Sequence, residues 1–158
     1  MKLDLLHDQL CYTGIIVSSI VSFIFSAAWH GPWFGKVWMA NSKWTEKRMR
    51  SSRIPMSRLL IGQFLCYLIG AYVFAVFYES LGIVELLDSL KIAVIFWGAF
   101  SATVTATGVL WEGDKPLFYL INIGSKFFIA LFTAVIYHYL TIYIKQRNAE
   151  VPVPPVAA

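Results

Sequence analysis

Charge is scarce in this chain of 158 residues. Asp, Glu, Lys and Arg together make up 14% of it, against about 25% in an ordinary soluble domain. That deficit argues against a water-facing globular surface. Cysteine is scarce too, with Cys11 and Cys66 alone. No C-x-x-C pair is present, so a disulfide framework, a redox motif and a thiolate metal site are not indicated. Both thiols sit in or beside apolar runs, where free Cys behaves as a small hydrophobe. The chain also lacks a P-loop, a nucleophile elbow, a zincin helix and a dinucleotide fingerprint. Its Ser and Thr residues have no nearby base in the sequence, which leaves nucleophilic catalysis without support.

What is abundant is apolar sequence: 58% of the chain is hydrophobic and the mean hydropathy is +0.65. It gathers into four runs, Cys11–Trp29, Leu59–Tyr78, Lys91–Leu110 and Leu117–Ile144. Each is about long enough to cross a hydrocarbon core, which takes roughly 20 helical residues. Lipid admits only helices or closed barrels, and the runs lack the alternation of barrel strands. The expectation is an all-α fold, an integral membrane bundle of four transmembrane helices, forming one domain over residues 1–147. Ser26-Ala27-Ala28 resembles a cleavage site, but the run before it is too long for a signal h-region of about 7–15 residues. An uncleaved first helix is predicted. Residues 148–158 are rich in proline and predict an extended or disordered tail.

The connections are unequal in charge. The first, residues 36–58, carries Lys36, Lys43, Lys47, Arg48, Arg50, Arg53 and Arg58 against Glu46 alone. The second carries Glu79, Glu85 and Asp88, and the third Glu112, Asp114 and Lys115. Lys/Arg bias places the first loop in the cytoplasm and both termini outside. Lys43, Lys47, Arg48, Arg50 and Arg53 are predicted to meet anionic headgroups, each worth about 1 kcal/mol near the surface. Tethering at the bilayer speaks against nucleic acid as their partner.

Five tryptophans, Trp29, Trp33, Trp38, Trp44 and Trp111, fall at the basic-loop end. They read as an interfacial belt, or as a structured interfacial segment from Trp29 to Trp38 broken by Gly31, Pro32 and Gly35. Small residues recur every four positions in the first run (Gly14, Ser18, Ser22, Ser26, ending at His30) and in the third (Gly98, Ala102, Ala106). Such stripes let helices pack closely.

A polar pattern crosses the third and fourth runs. Trp97, Ser101, Thr105, Gly108 and Glu112 share one face, within about 80° of one another, and Asn122, Lys126, Ala130, Thr133 and Tyr137 share another. Lys126 is costly in hydrocarbon, by about 2.5–3.5 kcal/mol. One reading is a pocket open to the cytoplasm and lined by Ser22, Ser26, His30, Ser101, Thr105, Glu112, Asn122 and Lys126. In it Lys126 is the positive centre and Glu112 the carboxylate at the mouth. The other reading starts the last span near Phe127 and lets Lys126 snorkel to the interface. His7, His30 and His138 do not form a ligand pair across one haem, and no Cys or carboxylate completes a metal set. No cofactor is expected.

Trp29-His30-Gly31-Pro32, Phe34-Gly35-Lys36 and Trp38 after the first helix carry a further signal. With them go Phe96-Trp97-Gly98, and Glu112-Gly113-Asp114-Lys115-Pro116 leading to Leu120-Ile121-Asn122. This series resembles a family of small bacterial membrane proteins catalogued as domain of unknown function 1761. His30 departs from the aromatic hydroxyl residue expected there, and Lys126 from an aromatic or apolar one. The resemblance implies four helices in a bacterial inner (plasma) membrane and brings no catalytic residues. Two functions remain. The first is a non-enzymatic accessory or assembly subunit of a larger membrane complex, with lipids and other subunits as partners. The second is a small self-associating transporter or channel for a polar or anionic solute around Lys126.

Overall fold

A computed structural model describes residues 10–43 and 54–150. Among them every regular element is helical. Four helices are long and apolar enough to cross a membrane: Tyr12–Trp33, Met56–Ser80, Leu86–Trp111 and Pro116–Glu150. The fold is the expected all-α integral membrane bundle.

Helix α1 (Tyr12–Ala28) starts where the Cys11 sulfur accepts the Gly14 N–H at 3.3 Å, satisfying one of the donors a helix start leaves open. Ile16, Ile20 and Ile24 form its outward face, while Gly14, Ser18, Ser22 and Ser26 turn inward. The span then widens into a π-helical turn, Trp29–Trp33, which contains Pro32. Proline has no N–H and its ring collides with the carbonyl four residues back in a regular helix. The wider turn absorbs both defects, closing with Phe34 N–H donating to the Trp29 carbonyl at 2.9 Å. A short helix α2 (Gly35–Asn41) follows. It can start there because Gly35 has no side chain: a Cβ at Gly35 would lie 2.6 Å from the His30 carbonyl oxygen.

Helix α3 (Met56–Ser80) follows Pro55. The third span is α4 (Leu86–Phe96), a π-helical stretch Trp97–Ala102, and α5 (Thr103–Trp111). Carbonyls in the wide stretch find side-chain donors. The Thr103 hydroxyl bonds the Ala99 carbonyl, and the Tyr119 hydroxyl bonds that of Ala102 at 3.3 Å. The chain reverses at Gly113, with φ +67°, and Pro116 opens the last helix in the position where its missing N–H costs nothing. Helix α6 (Pro116–Glu150) is central, packed against α1, α3, α4 and α5. It runs past Arg147 through Asn148, Ala149 and Glu150, correcting the predicted tail boundary. The first proline of the tail is Pro152, which disfavours helix only from the residue before it.

The bundle has two unequal halves. At the end that holds the start of α1 and the end of α6, Leu10, Cys11, Ile15, Ala71, Phe74, Ala75, Tyr78, Ala93, Ala134 and Tyr137 form one buried cluster. At the other end, towards the basic loop, α3 packs less: its buried residues are Ala71, Phe74, Ala75 and Tyr78, all in its C-terminal half, Phe64 still meets Phe23 edge-on, and the first two turns are exposed. The splayed half of α3 leaves a cavity against α1 and α6.

Candidate binding vestibule in the loop half

The cavity has a volume of about 860 Å³, within the range of about 300–1,000 Å³ typical of ligand sites. Ser26, His30 and Phe23 of the first span line one wall, and Leu59, Leu60, Gln63 and Tyr67 of α3 another. Asn122, Ser125 and Lys126 of α6 form the third, with Lys36, Trp38 and Met39 of α2 across the entrance. Among the described residues its charged lining is Lys36 and Lys126, with neither Asp nor Glu.

Three indoles set the position of α6 at this end. Trp29 Nε1 donates to the Ile121 carbonyl at 3.0 Å, Trp38 Nε1 to Asn122 Oδ1 at 3.3 Å, and Trp97 Nε1 to the Ile123 carbonyl at 2.9 Å. Three consecutive residues of one helix are thus held from the π-helical turn after α1, from α2 and from the third span. The Asn122 amide donates in turn to the Phe118 carbonyl at 2.8 Å, so both ends of this side chain are engaged. Trp29, Phe34, Phe25 and Phe128 pack as one aromatic group. The Trp29–Trp38 segment with Pro32, Phe34 and Gly35 is therefore a structured element. The belt reading fits only Trp33 and Trp111, exposed at 60% and 86%; Trp44 lies outside the described residues.

His30 Nδ1 lies 3.1 Å from the Ser26 carbonyl. A carbonyl only accepts, so the proton sits on Nδ1. The imidazole also meets the Trp38 ring edge-on, with centroids 5.7 Å apart.

Lys126 reconciles its two sequence readings. It follows Ile123, whose carbonyl Trp97 holds, and adjoins Phe127, which Trp97 meets edge-on. Its ammonium reaches Thr105 Oγ1 at 2.7 Å, on the basic-loop side of Trp97. The side chain therefore lines the cavity and leans towards the interface, as helical side chains tilt towards their N-terminus. Among the described residues no carboxylate meets it.

The predicted pocket is thus corrected in part. Ser26, His30, Asn122 and Lys126 line the cavity, and Thr105 touches it through Lys126. Ser22 is buried in the α1 seam instead, its hydroxyl without a partner among the described residues. Ser101 lies in the π-helical stretch, off the lining. Glu112 is no mouth carboxylate: its side chain is 68% exposed and faces Lys43 at 3.9 Å. The reason is the reversal at Gly113, which carries Glu112 over α2 and away from α1 and α3. Lys43 belongs to this latch, bonding the Glu112 carbonyl at 2.8 Å and Asp114 at 2.9 Å. Lys115 donates to the Ala40 carbonyl at the end of α2. Lys47, Arg48, Arg50 and Arg53 lie outside the described residues. Gln63, Tyr67, Ser125 and Lys36 were missed. Gln63 and Tyr67 stand four apart in an apolar run, a signal for one polar face that the sequence did carry.

A family profile described as "Protein of unknown function (DUF1761)" matches residues 13–138. The chain belongs to the DUF1761 family. Comparisons with curated proteins and with solved structures find no match. The DUF1761 match takes in both halves, from the first turn of α1 to His138 in the packed half. The motif residues behind the resemblance sit elsewhere: Trp29, Gly35, Trp38, Trp97, Gly113, Pro116 and Asn122 all build the loop half of this DUF1761 chain.

Proposed function

We propose that the chain is a non-enzymatic membrane protein that binds an anionic solute in the loop-half vestibule. One observation carries the reading: Lys126 stands within a membrane-spanning helix, its ammonium meets the neutral Thr105, and among the described residues its cavity holds a second lysine and no acid. A charge in low dielectric without a counter-charge is costly, and a bound anion removes that cost. In a single chain the packed half blocks passage, with Tyr78 and Tyr137 fully buried across the bundle. This supports binding from one side, and any path through needs several copies.

The accessory-subunit reading has weaker support. The small-residue stripe of α1 is used inside the chain, where Gly14, Ser18, Ser22 and Ser26 are buried. The seven bases of the first connection support a cytoplasmic vestibule mouth in a bacterial inner membrane.

The test is extraction from native membranes into a mild polymer, with the mass and composition of the particle measured. An anionic small molecule that co-purifies with the wild type and is absent from Lys126→Leu is the expected result. A defined hetero-complex with an empty vestibule would favour the accessory subunit.

A further inference from the structure

Resting on the anion-binding reading, we infer that the vestibule takes an amphipath: a phosphate-bearing head at Lys126 and Ser125, with one acyl chain along α3. Ser125 supplies the independent observation. Its side chain is 1% exposed, its hydroxyl has no partner among the described residues, and it lines the cavity. A buried hydroxyl without a partner is costly, by about 1–3 kcal/mol. Ser125 adjoins Lys126, and Asn122, Ser125 and Lys126 stand at the i, i+3, i+4 spacing of one helix face. Asn122 is held in place by Trp38 and Phe118, while the Ser125 hydroxyl has no partner among the described residues and the ammonium has the neutral Thr105, so these two groups are placed to meet an anionic oxygen.

The opposite wall has another chemistry. Met56, Leu59 and Leu60 of α3 line the cavity and are also exposed. Read as a membrane span, this side of the cavity faces hydrocarbon. A water-soluble anion would leave that wall without a partner. A zwitterionic lipid would bring a second cation towards Lys126 and Lys36. An anionic head on a chain satisfies both walls, with the head towards the loop end, where the Lys126 ammonium leans.

The experiment titrates the full chain in nonionic detergent with three probes, counting bound molecules by native mass spectrometry. They are palmitoyl lysophosphatidic acid, palmitoyl lysophosphatidylcholine and glycerol 3-phosphate. The expected result is one bound lysophosphatidic acid, with each other probe about tenfold or more weaker. Losing one partner of a buried charge pair costs at least that much, so Lys126→Gln weakens lysophosphatidic acid by about tenfold or more. Ser125→Ala weakens it by about threefold to tenfold, and Lys126→Arg retains binding, which separates charge from folding. Glycerol 3-phosphate binding as tightly as the lipid, and depending on Lys126, would overturn the amphipath and leave the anion reading intact. Equal binding of both lysolipids, unaffected by Lys126→Gln, would overturn both.

Discussion

The two halves of this bundle use polar residues differently. In the packed half, polar groups close on each other around Tyr137, and a hydroxyl left over among the described residues, that of buried Thr141, lies off the cavity lining. The Cys11 N–H donates to the Tyr137 hydroxyl at 3.2 Å, that hydroxyl donates to Glu79 at 3.3 Å, and Lys145 pairs with Glu79 at 2.9 Å. Tyr78 and His138 share a bond of 2.8 Å, and Ser89 donates to the Ala134 carbonyl at 3.1 Å. In the loop half, Lys126 and Ser125 are left with one neutral partner and none, respectively, among the described residues. Satisfied polar groups fix an arrangement of helices. Unsatisfied ones beside a cavity mark where something else binds.

The comparison breaks hardest at Tyr137. It is 0% exposed, touches the Phe74 and Tyr78 rings edge-on, and joins the start of α1 to Glu79. Tyr137→Ala leaves a large void and removes one partner of the buried Glu79 carboxylate, which keeps Lys145. The expected loss is about 3–5 kcal/mol, read as a fall in the thermal unfolding midpoint in detergent. Lys126→Leu is its counterpart. It removes a desolvated charge and leaves the midpoint unchanged or raised. If both variants fell equally, the division between a structural half and a binding half would not hold.

Gly35 sharpens the comparison on the loop side. A Cβ there would meet the His30 carbonyl oxygen at 2.6 Å, and a backbone atom cannot swing aside like a side-chain tip. Gly35→Ala therefore displaces α2 from the entrance, at an expected cost of about 1–3 kcal/mol. Labelling of a cysteine placed at Met39, with Cys66 replaced by Ala, should speed up in the Gly35→Ala background. An unchanged rate would mean that α2 keeps its seat across the vestibule. Trp38→Phe should act less strongly in the same direction. It removes the indole bond to Asn122, worth about 0.6 kcal/mol on average for such a bond in a membrane and at most about 1.7.

Helix number and approximate spans were legible in the sequence, because apolar length is a property of each segment alone. The four-residue recurrence of Gly14, Ser18, Ser22 and Ser26 marked the buried face of α1 correctly. Ser26, His30, Asn122 and Lys126 line one cavity, a juxtaposition the sequence could suggest because a four-residue step on one helix and equal depth on another can be counted. Glu112 was misplaced because counting depth does not give azimuth: it shares the end of the bundle with His30 but lies over α2. The cavity itself was not legible. It exists because α3 is buried only in its C-terminal half and its first two turns stand exposed, while the apolar run Leu59–Tyr78 looks alike at both ends.

The smallest effect is expected at Lys43, and its location makes it informative. Its ammonium joins Asp114 and the Glu112 carbonyl, tying the end of α2 to the loop before α6. The Lys43 side chain is 54% exposed, so solvent screens the pair and its contribution is about 0–1 kcal/mol. Lys43→Ala should leave the unfolding midpoint nearly unchanged. If Lys43 instead served mainly as one of several lysines on anionic headgroups, its loss would weaken attachment to acidic lipid rather than loosen α2. The two roles separate in hydrogen exchange. Faster exchange confined to residues 35–41 in neutral detergent identifies a latch, because no anionic lipid is present for Lys43 to meet. Unchanged exchange there would return Lys43 to the lipid surface and leave α2 held by Gly35, the Trp38 indole and Lys115 alone.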